Sequence, residues 1–260
     1  MKEDCKILLR LSFDGTRYRG YQVQKNGPTV QSELNRAAFE LFGVPCDVVG
    51  CSRTDSGVHA LAFYVAVSQR GTDVMKTDIP EKALPRAFNA HLPADVAVNA
   101  AWCVPSAFHP RYDVLCKEYQ YLFTDSGLRD PFWENRAWQV ERALDVEKMN
   151  EAAGLFCGTH DFSAFMATGS KIKDAVRTVF AAGVERIDDH IRFTVSANGF
   201  LYHMVRIMAG TITAVGLGKM RPEQIPDLIA SENRAKSGVT APPYGLYLRR
   251  VEYPQEYRLN

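Results

Sequence analysis

The sequence predicts an α+β chain whose sheet is antiparallel or mixed rather than doubly wound. Three observations carry this. Runs with a two-residue period alternate with segments of 3.6-residue period along the whole chain, without internal repeats or low-complexity tracts. Two of the strand runs, Val176 to Arg186 and His190 to Ala197, flank Asp188-Asp189 in the manner of a hairpin. The 260 residues, 46% apolar and 23% charged, have a soluble globular composition and suffice for one large domain or two smaller ones.

Taken in order, Lys6 to Phe13 (KILLRLSF) reads as a strand. TVQSELNRAAFELFG reads as a helix opened by Pro28 and Thr29 and closed by Gly43, with Val30, Leu34, Ala37, Ala38 and Leu41 on one face. His59 to Ser68 is a long strand with Leu61, Phe63, Val65 and Val67 on one face. IPEKALPRAFNAHLP holds a short helix and DVAVNAAWCV a strand. Val114 to Phe123 is strand-like, and DVEKMNEAAGLF is helical with Asp145 as N-cap. After the hairpin, HMVRIMAGTITAVG is a helix ended by Gly216, RPEQIPDLIASE is a further helical piece, and GLYLRRVEY is a closing strand. A boundary falls around VPSAFHPRY, dividing the chain into residues 1–105 and 106–260. Ser126 to Trp133 and Ala167 to Asp174 read as exposed connections.

Several function classes find no support. The N-terminal apolar run is short and broken by Arg10, and no stretch of about 18 apolar residues exists, so neither a secretory signal nor a membrane span is expected. The six cysteines form no C-x-x-C pair, and contexts such as LFCG and AWCV predict buried free thiols and a reducing, cytoplasmic setting. The six histidines lack metal-ligand spacing, and there is no P-loop or G-x-S-x-G elbow. Acids, bases and aromatics working without metal or cofactor are therefore expected to carry any chemistry. A net charge of +1 is neutral on nucleic acid. Locally, however, cations and aromatics interleave in RYRGYQVQK, FHPRYDVLCKEYQY, TGSKIKDAVR and GFLYHMVR, where phosphates and exposed bases find partners.

The sharpest chemical candidate is GCSRTDSGVHA, residues 50–60. Asp55 sits in a turn next to Gly57, and the apolar strand that follows would anchor it. A carboxylate on such a loop suits a nucleophile, although an Asx-turn or an Arg53–Asp55 pair uses the same letters.

RTDSGVHA closely resembles the R-T-D-x-G-V-H-A signature of the TruA family of tRNA pseudouridine synthases. Further matches follow in order: Tyr18, Gly20, Gln22, Gln24 and TVQ at 29–31; FHPRY at 108–112; KEYQY at 117–121; HDFSAF at 160–165; FLYHMVRIMAG at 200–210; and GLYL at 245–248. Departures are Ser52 for a common Gly, Ser56 for a common Ala, Tyr21 for a common Trp, Glu118 where a second cation is frequent, and a longer connection at Gly71 to Ile79.

The resemblance implies a pseudouridine synthase fold: two similar sheet-plus-helix halves joined into one extended, mainly antiparallel sheet with a central cleft. It implies a homodimer acting on tRNA without cofactor, on anticodon-arm uridines at positions 38 to 40. Asp55 becomes the catalytic carboxylate, with the ribose C1′, its 2′ hydrogen and the base C6 as alternative first targets. Arg206 becomes its cationic partner, offsetting the upward push of burial on a carboxylate pKa. Tyr119 stacks on the target base and serves as acid or base. Arg53 fills the gap left by the flipped nucleotide, Leu246 forms the floor beneath the base, and His59 braces the loop. Phe108, His109, Arg111 and Tyr112, with Gly169, Ser170, Lys171 and Lys173, contact tRNA. The alternatives are a paralogue with another RNA target, a tRNA-binding or folding module, and an RNA glycosidase that releases uracil.

Overall fold

The computed structural model describes residues 5–170, 172–257 and 259; Lys171 lies outside the described residues. The chain forms two compact units. One runs from Cys5 to Leu115 and is resumed from Leu248; the other is Cys116–Tyr247.

The first unit contains β1 (Cys5–Phe13), α1 (Val30–Phe42), β2 (Cys46–Gly50), β3 (His59–Gln69), α2 (Leu84–Asn89) and β4 (Val96–Pro105). Its strands pair antiparallel in the order β4–β1–β3–β2. Helix α1 begins where Thr29 Oγ1 accepts the Ser32 N–H at 3.1 Å while Ser32 Oγ accepts the Thr29 N–H at 3.1 Å. This reciprocal cap satisfies two otherwise orphaned donors. It ends at Gly43, whose φ of 70° is left-handed. Val30, Leu34, Ala37 and Ala38 are buried, and α1 packs on β2 while α2 packs on β4.

Strand β3 departs from the one-faced reading. Phe63, Val65 and Val67 are fully buried as expected, but Tyr64 and Ala66 on the other face are buried too, whereas Leu61 is 48% exposed. The second face is covered by rings: Tyr64 lies against Trp102 and meets the Tyr253 edge at 5.2 Å. Leu61 falls between Ala60 and Phe63, where the pairing with β1 slips by one residue in a bulge that breaks the alternation.

The cysteine expectation also needs correction. Cys5 and Cys103 are joined by a disulfide. Ile7 of β1 faces Cys103 of β4 and Cys5 faces Pro105, which brings the two Cα atoms to 5.7 Å, within bridging reach. Cys157, expected to be buried from LFCG, is exposed because it follows the end of a helix; Cys46 and Cys51 are buried free thiols.

The second unit contains β5 (Cys116–Thr124), β6 (Trp138–Gln139), α3 (Val146–Gly154), β7 (Gly158–Asp161), β8 (Val176–Ile187), β9 (His190–Ala197), α4 (Met204–Gly216) and α5 (Ile225–Ala230), and β10 (Leu246–Glu252) starts in it. Strands β5, β9, β8 and β7 pair antiparallel in that order, with β6 parallel to β5. The β8–β9 hairpin turns at Asp188, whose φ is 49°. Asp145 caps α3 through the Lys148 N–H at 3.0 Å. The α+β class and the predominance of antiparallel pairing are as the sequence predicted.

Helix α4 is buried on nearly all sides. Its close neighbour is the 238–241 segment. A Cβ on Gly210 would stand 1.9 Å from the Val239 carbonyl oxygen, and one on Gly238 would stand 2.6 Å from the Thr211 nitrogen. The helix starts at Met204, one residue later than expected, because His203 adopts a left-handed φ of 60°.

The α1 cap yields a first prediction. Thr29→Ala is expected to cost about 1 kcal/mol, read as a lower urea midpoint at unchanged slope.

Candidate functional site

In the first unit the 51–58 loop is held by backbone contacts with the 14–21 turn. The Tyr18 carbonyl accepts the Gly57 N–H at 3.2 Å and the Ser56 hydroxyl at 3.2 Å. The Tyr21 N–H donates to the Thr54 carbonyl at 3.4 Å. Asp55 therefore lies between two anchored neighbours, and its own carbonyl accepts the Val58 N–H at 3.2 Å to close the turn. Gly57 has a φ of 80°, a region that favours glycine.

The approach of the two segments requires missing side chains. A Cβ on Gly15 would stand 2.0 Å from the Val58 carbonyl oxygen, and one on Gly20 would stand 2.3 Å from that of Thr54. Gly20 also has a φ of 85°. Gly50 makes room for Tyr21, whose ring stacks on Phe63 at 4.5 Å. His59 is buried, and its Nδ1 accepts the Gly15 N–H at 3.0 Å, so it braces the loop. Helix α1 ties into the same frame: the Gln31 N–H donates to the Tyr21 carbonyl, and the Gln31 amide spans from Val48 O to the Val23 N–H. Arg53 is exposed and Asp55 is half-buried.

In the second unit, Tyr119 of β5 is buried and meets the Phe200 ring edge-on at 5.1 Å. Tyr121 shares its face, is fully buried, and donates its hydroxyl to the Pro242 carbonyl at 2.7 Å. Burial pushes the Tyr121 phenol well up, with nearby Arg206 pulling against it. Arg206 is half-buried on α4 and joined to Ala241 in both directions: its Nε donates to the Ala241 carbonyl at 2.8 Å, and its carbonyl accepts the Ala241 N–H at 3.0 Å. Gly245 lies where a Cβ would stand 2.6 Å from the Tyr121 ring, and Leu246 follows it, buried. The unit thus gathers Tyr121, Arg206 and the 241–246 segment. Tyr121 carries no expected role in the sequence; the signal that marks it is the strand face it shares with Tyr119.

The expected RNA contacts divide by burial. Phe108 is in the core, against Tyr253 at 5.2 Å and Tyr257 at 4.7 Å. His109 is half-buried and stacks on Tyr112 at 4.2 Å, and its Nδ1 accepts the Arg111 N–H. Burial holds its pKa down. Arg111 and Tyr112 are exposed. Gly169 turns with a φ of 86°, Ser170 Oγ accepts the Ile172 N–H at 3.3 Å, and Lys173 is exposed. Among the described residues no three His, Cys, Asp or Glu side chains cluster so as to hold a metal ion, and no helix is long and apolar enough to cross a membrane.

Fold and loops together define an α+β protein that presents a carboxylate on a backbone-clamped turn in one unit and two buried tyrosines beside a half-buried arginine in the other. Residues 11–113 and 152–254 match the family described as tRNA pseudouridine synthase. The chain is 42% identical over 247 residues to tRNA pseudouridine synthase A of Thermoanaerobacter sp., covering 95% of this chain and 99% of that protein. It is 43% identical over 249 residues to the protein of that name from Ruminiclostridium cellulolyticum, again covering 95% and 99%. The crystal structure of a Cbf5–Nop10–Gar1 complex aligns over 79% of this chain and 54% of that chain at 12% identity, with a TM-score of 0.32, and bears no weight in the argument. The chain belongs to the tRNA pseudouridine synthase family.

Glycine spacing in the loop frame can be tested directly. Gly20→Ala combines a left-handed φ with a clash against backbone, whereas Gly43→Ala has the same sign of φ and nothing within 4 Å. Gly20→Ala is expected to lose roughly 1–3 kcal/mol more than Gly43→Ala and to speed amide exchange at Gly57 and Val58.

Proposed function

We propose that this protein isomerises uridine to pseudouridine in the anticodon arm of tRNA, at positions 38 to 40, with Asp55 as the catalytic carboxylate. The observation that carries the reading is the clamp: both neighbours of Asp55 are hydrogen-bonded to the 18–21 segment, within a loop that matches the family signature. The net reaction breaks the N1–C1′ bond of uridine, forms C5–C1′, and exchanges the C5 proton for one on N1. It needs no outside electrons or cofactor. A carboxylate that works on one atom of a flipped nucleotide gains from a backbone that cannot drift.

In this reading Arg206 is the catalytic cation, and its bond to the Ala241 carbonyl orients it. Tyr119 stacks on the base, with Leu246 beneath it. Arg53, exposed on the loop, occupies the gap in the RNA. Arg111, Tyr112, Lys173 and Lys171 meet the tRNA backbone and bases. Phe108 and His109 act by holding the 108–113 turn, since the His109 N–H donates to Asp113 and the Phe108 ring is buried. Gly169, with its left-handed φ, and Ser170, which accepts the Ile172 N–H, shape the chain before Lys173. The protein works as a homodimer in the cytoplasm.

Incubation of tRNA transcripts with wild type and Asp55→Ala, followed by pseudouridine mapping, tests this. Pseudouridine at positions 38 to 40 from wild type alone is the expected result. Equal modification by both proteins sinks the Asp55 assignment. Free uracil identifies a glycosidase, and tRNA binding without either product identifies a binding module. Arg53→Ala is expected to lower turnover more than tRNA affinity; a loss confined to affinity contradicts the flipping role. Arg111→Ala and Lys173→Ala are each expected to weaken tRNA binding and to reduce the slope of log affinity against log salt by about 1.

A further inference from the structure

The frame behind the Asp55 loop ends in a side chain that no part of the loop signature contains. Asp95 lies just before β4 and grips the 14–18 turn at three points. Its backbone carbonyl accepts the Asp14 N–H at 2.9 Å, its Oδ1 accepts the Tyr18 hydroxyl at 2.6 Å, and its Oδ2 accepts Arg17 Nε at 2.6 Å. Tyr18 is 3% exposed, and its hydroxyl is its only polar side-chain atom. At its other end the Tyr18 carbonyl accepts both the Gly57 N–H and the Ser56 hydroxyl, the two residues after Asp55. One residue thus links Asp95 to the Asp55 turn, with hydrogen bonds at each of its ends.

We infer that Asp95 and Tyr18 are positioning residues for Asp55: the part-buried Tyr18–Asp95 hydrogen bond sets the height of the Tyr18 carbonyl and so the position of the turn that presents the carboxylate. The inference rests on the reading of Asp55 as the catalytic carboxylate. Ser56 adds to the same device. Where family members commonly carry Ala, its hydroxyl gives the Tyr18 carbonyl a second donor. The pKa directions agree with a fixed polarity. Burial, followed by the bond to Asp95, pushes the Tyr18 phenol up, so it stays protonated and donates. Burial works to raise the Asp95 carboxyl, but Arg17 and Tyr18 outweigh it and hold it below the usual carboxylate range, so it stays ionised and accepts.

A mere structural tie and a positioning tie differ in what they spoil. Loss of a structural tie lowers stability and tRNA affinity along with rate. Loss of a positioning tie lowers the rate on bound tRNA, because small displacements of a reacting group are costly. The test is single-turnover pseudouridine formation on a tRNA transcript, with tRNA affinity and thermal unfolding measured in parallel. Tyr18→Phe removes the hydroxyl and keeps the ring and the backbone carbonyl. It is expected to slow the step on the order of 10-fold while tRNA affinity stays within about twofold. Asp95→Ala is expected to match it. Asp95→Asn retains an acceptor for the Tyr18 hydroxyl and is expected to recover most of that rate, whereas a role confined to the Arg17 ion pair would leave Asn as slow as Ala. A wild-type rate in Tyr18→Phe, or a parallel fall of rate, affinity and unfolding temperature, overturns the inference. Should Asp95→Ala fail to fold, Tyr18→Phe and Asp95→Asn decide it alone. Asp55→Ala separates the two levels. Full activity in that variant refutes the catalytic reading, while an inactive Asp55→Ala beside a fully active Tyr18→Phe refutes only the positioning.

Discussion

Close backbone approach between the 14–21 turn and the 54–58 turn is the constraint on which the candidate site depends. Carbonyl oxygens of Thr54 and Val58 occupy the volume that side chains at residues 20 and 15 would fill. Only glycine permits this at either place, and at residue 20 the left-handed backbone adds a second reason. The approach lets main-chain donors and acceptors of one turn satisfy those of the other. A half-buried loop would otherwise leave such groups unpaired, at a cost of about 1–3 kcal/mol each. It also means that the turn carrying Asp55 is held directly by peptide groups, which have few ways to move.

The second unit solves a related problem with a helix. Arg206 sits on a helix whose other faces are nearly all apolar and buried. A guanidinium there is expensive unless its donors are used. The 238–241 segment runs close enough to provide an acceptor, because Gly210 and Gly238 remove the side chains that would keep it away. In this chain the Gly four residues after the Arg is a packing requirement: it lets the 238–241 segment reach Arg206.

The departures from the family pattern have structural accounts at two positions. Tyr21 fills a slot shaped by Gly50 and Phe63, where its ring stacks. Ser56 uses its hydroxyl on the Tyr18 carbonyl. Ser52 places its hydroxyl 3.4 Å from the Arg53 carbonyl, a contact within the loop itself.

Local features were legible because their causes lie within a few residues. Thr29, Ser32 and Gly43 bound α1 through contacts three or four residues apart, Asp145 starts α3 in the same way, and the Asp188 turn closes a hairpin. The Arg53–Asp55–Gly57 spacing is likewise a property of one loop. Strands β6 and β7, two and four residues long, are too short to show a period. What tertiary structure alone decided involves partners far away in sequence. Cys5 meets Cys103 across 98 residues. Leu61 is exposed at a bulge in the β1–β3 pairing, and Phe108 is taken into the core by Tyr253 and Tyr257. Asp95 reaches Tyr18 across 77 residues, a separation at which neither side chain carries any local mark of the other. Periodicity and caps report the energy of a segment with itself and with water. The pairing of distant segments depends on how sheets and turns stack, and that is settled only when the whole unit has folded.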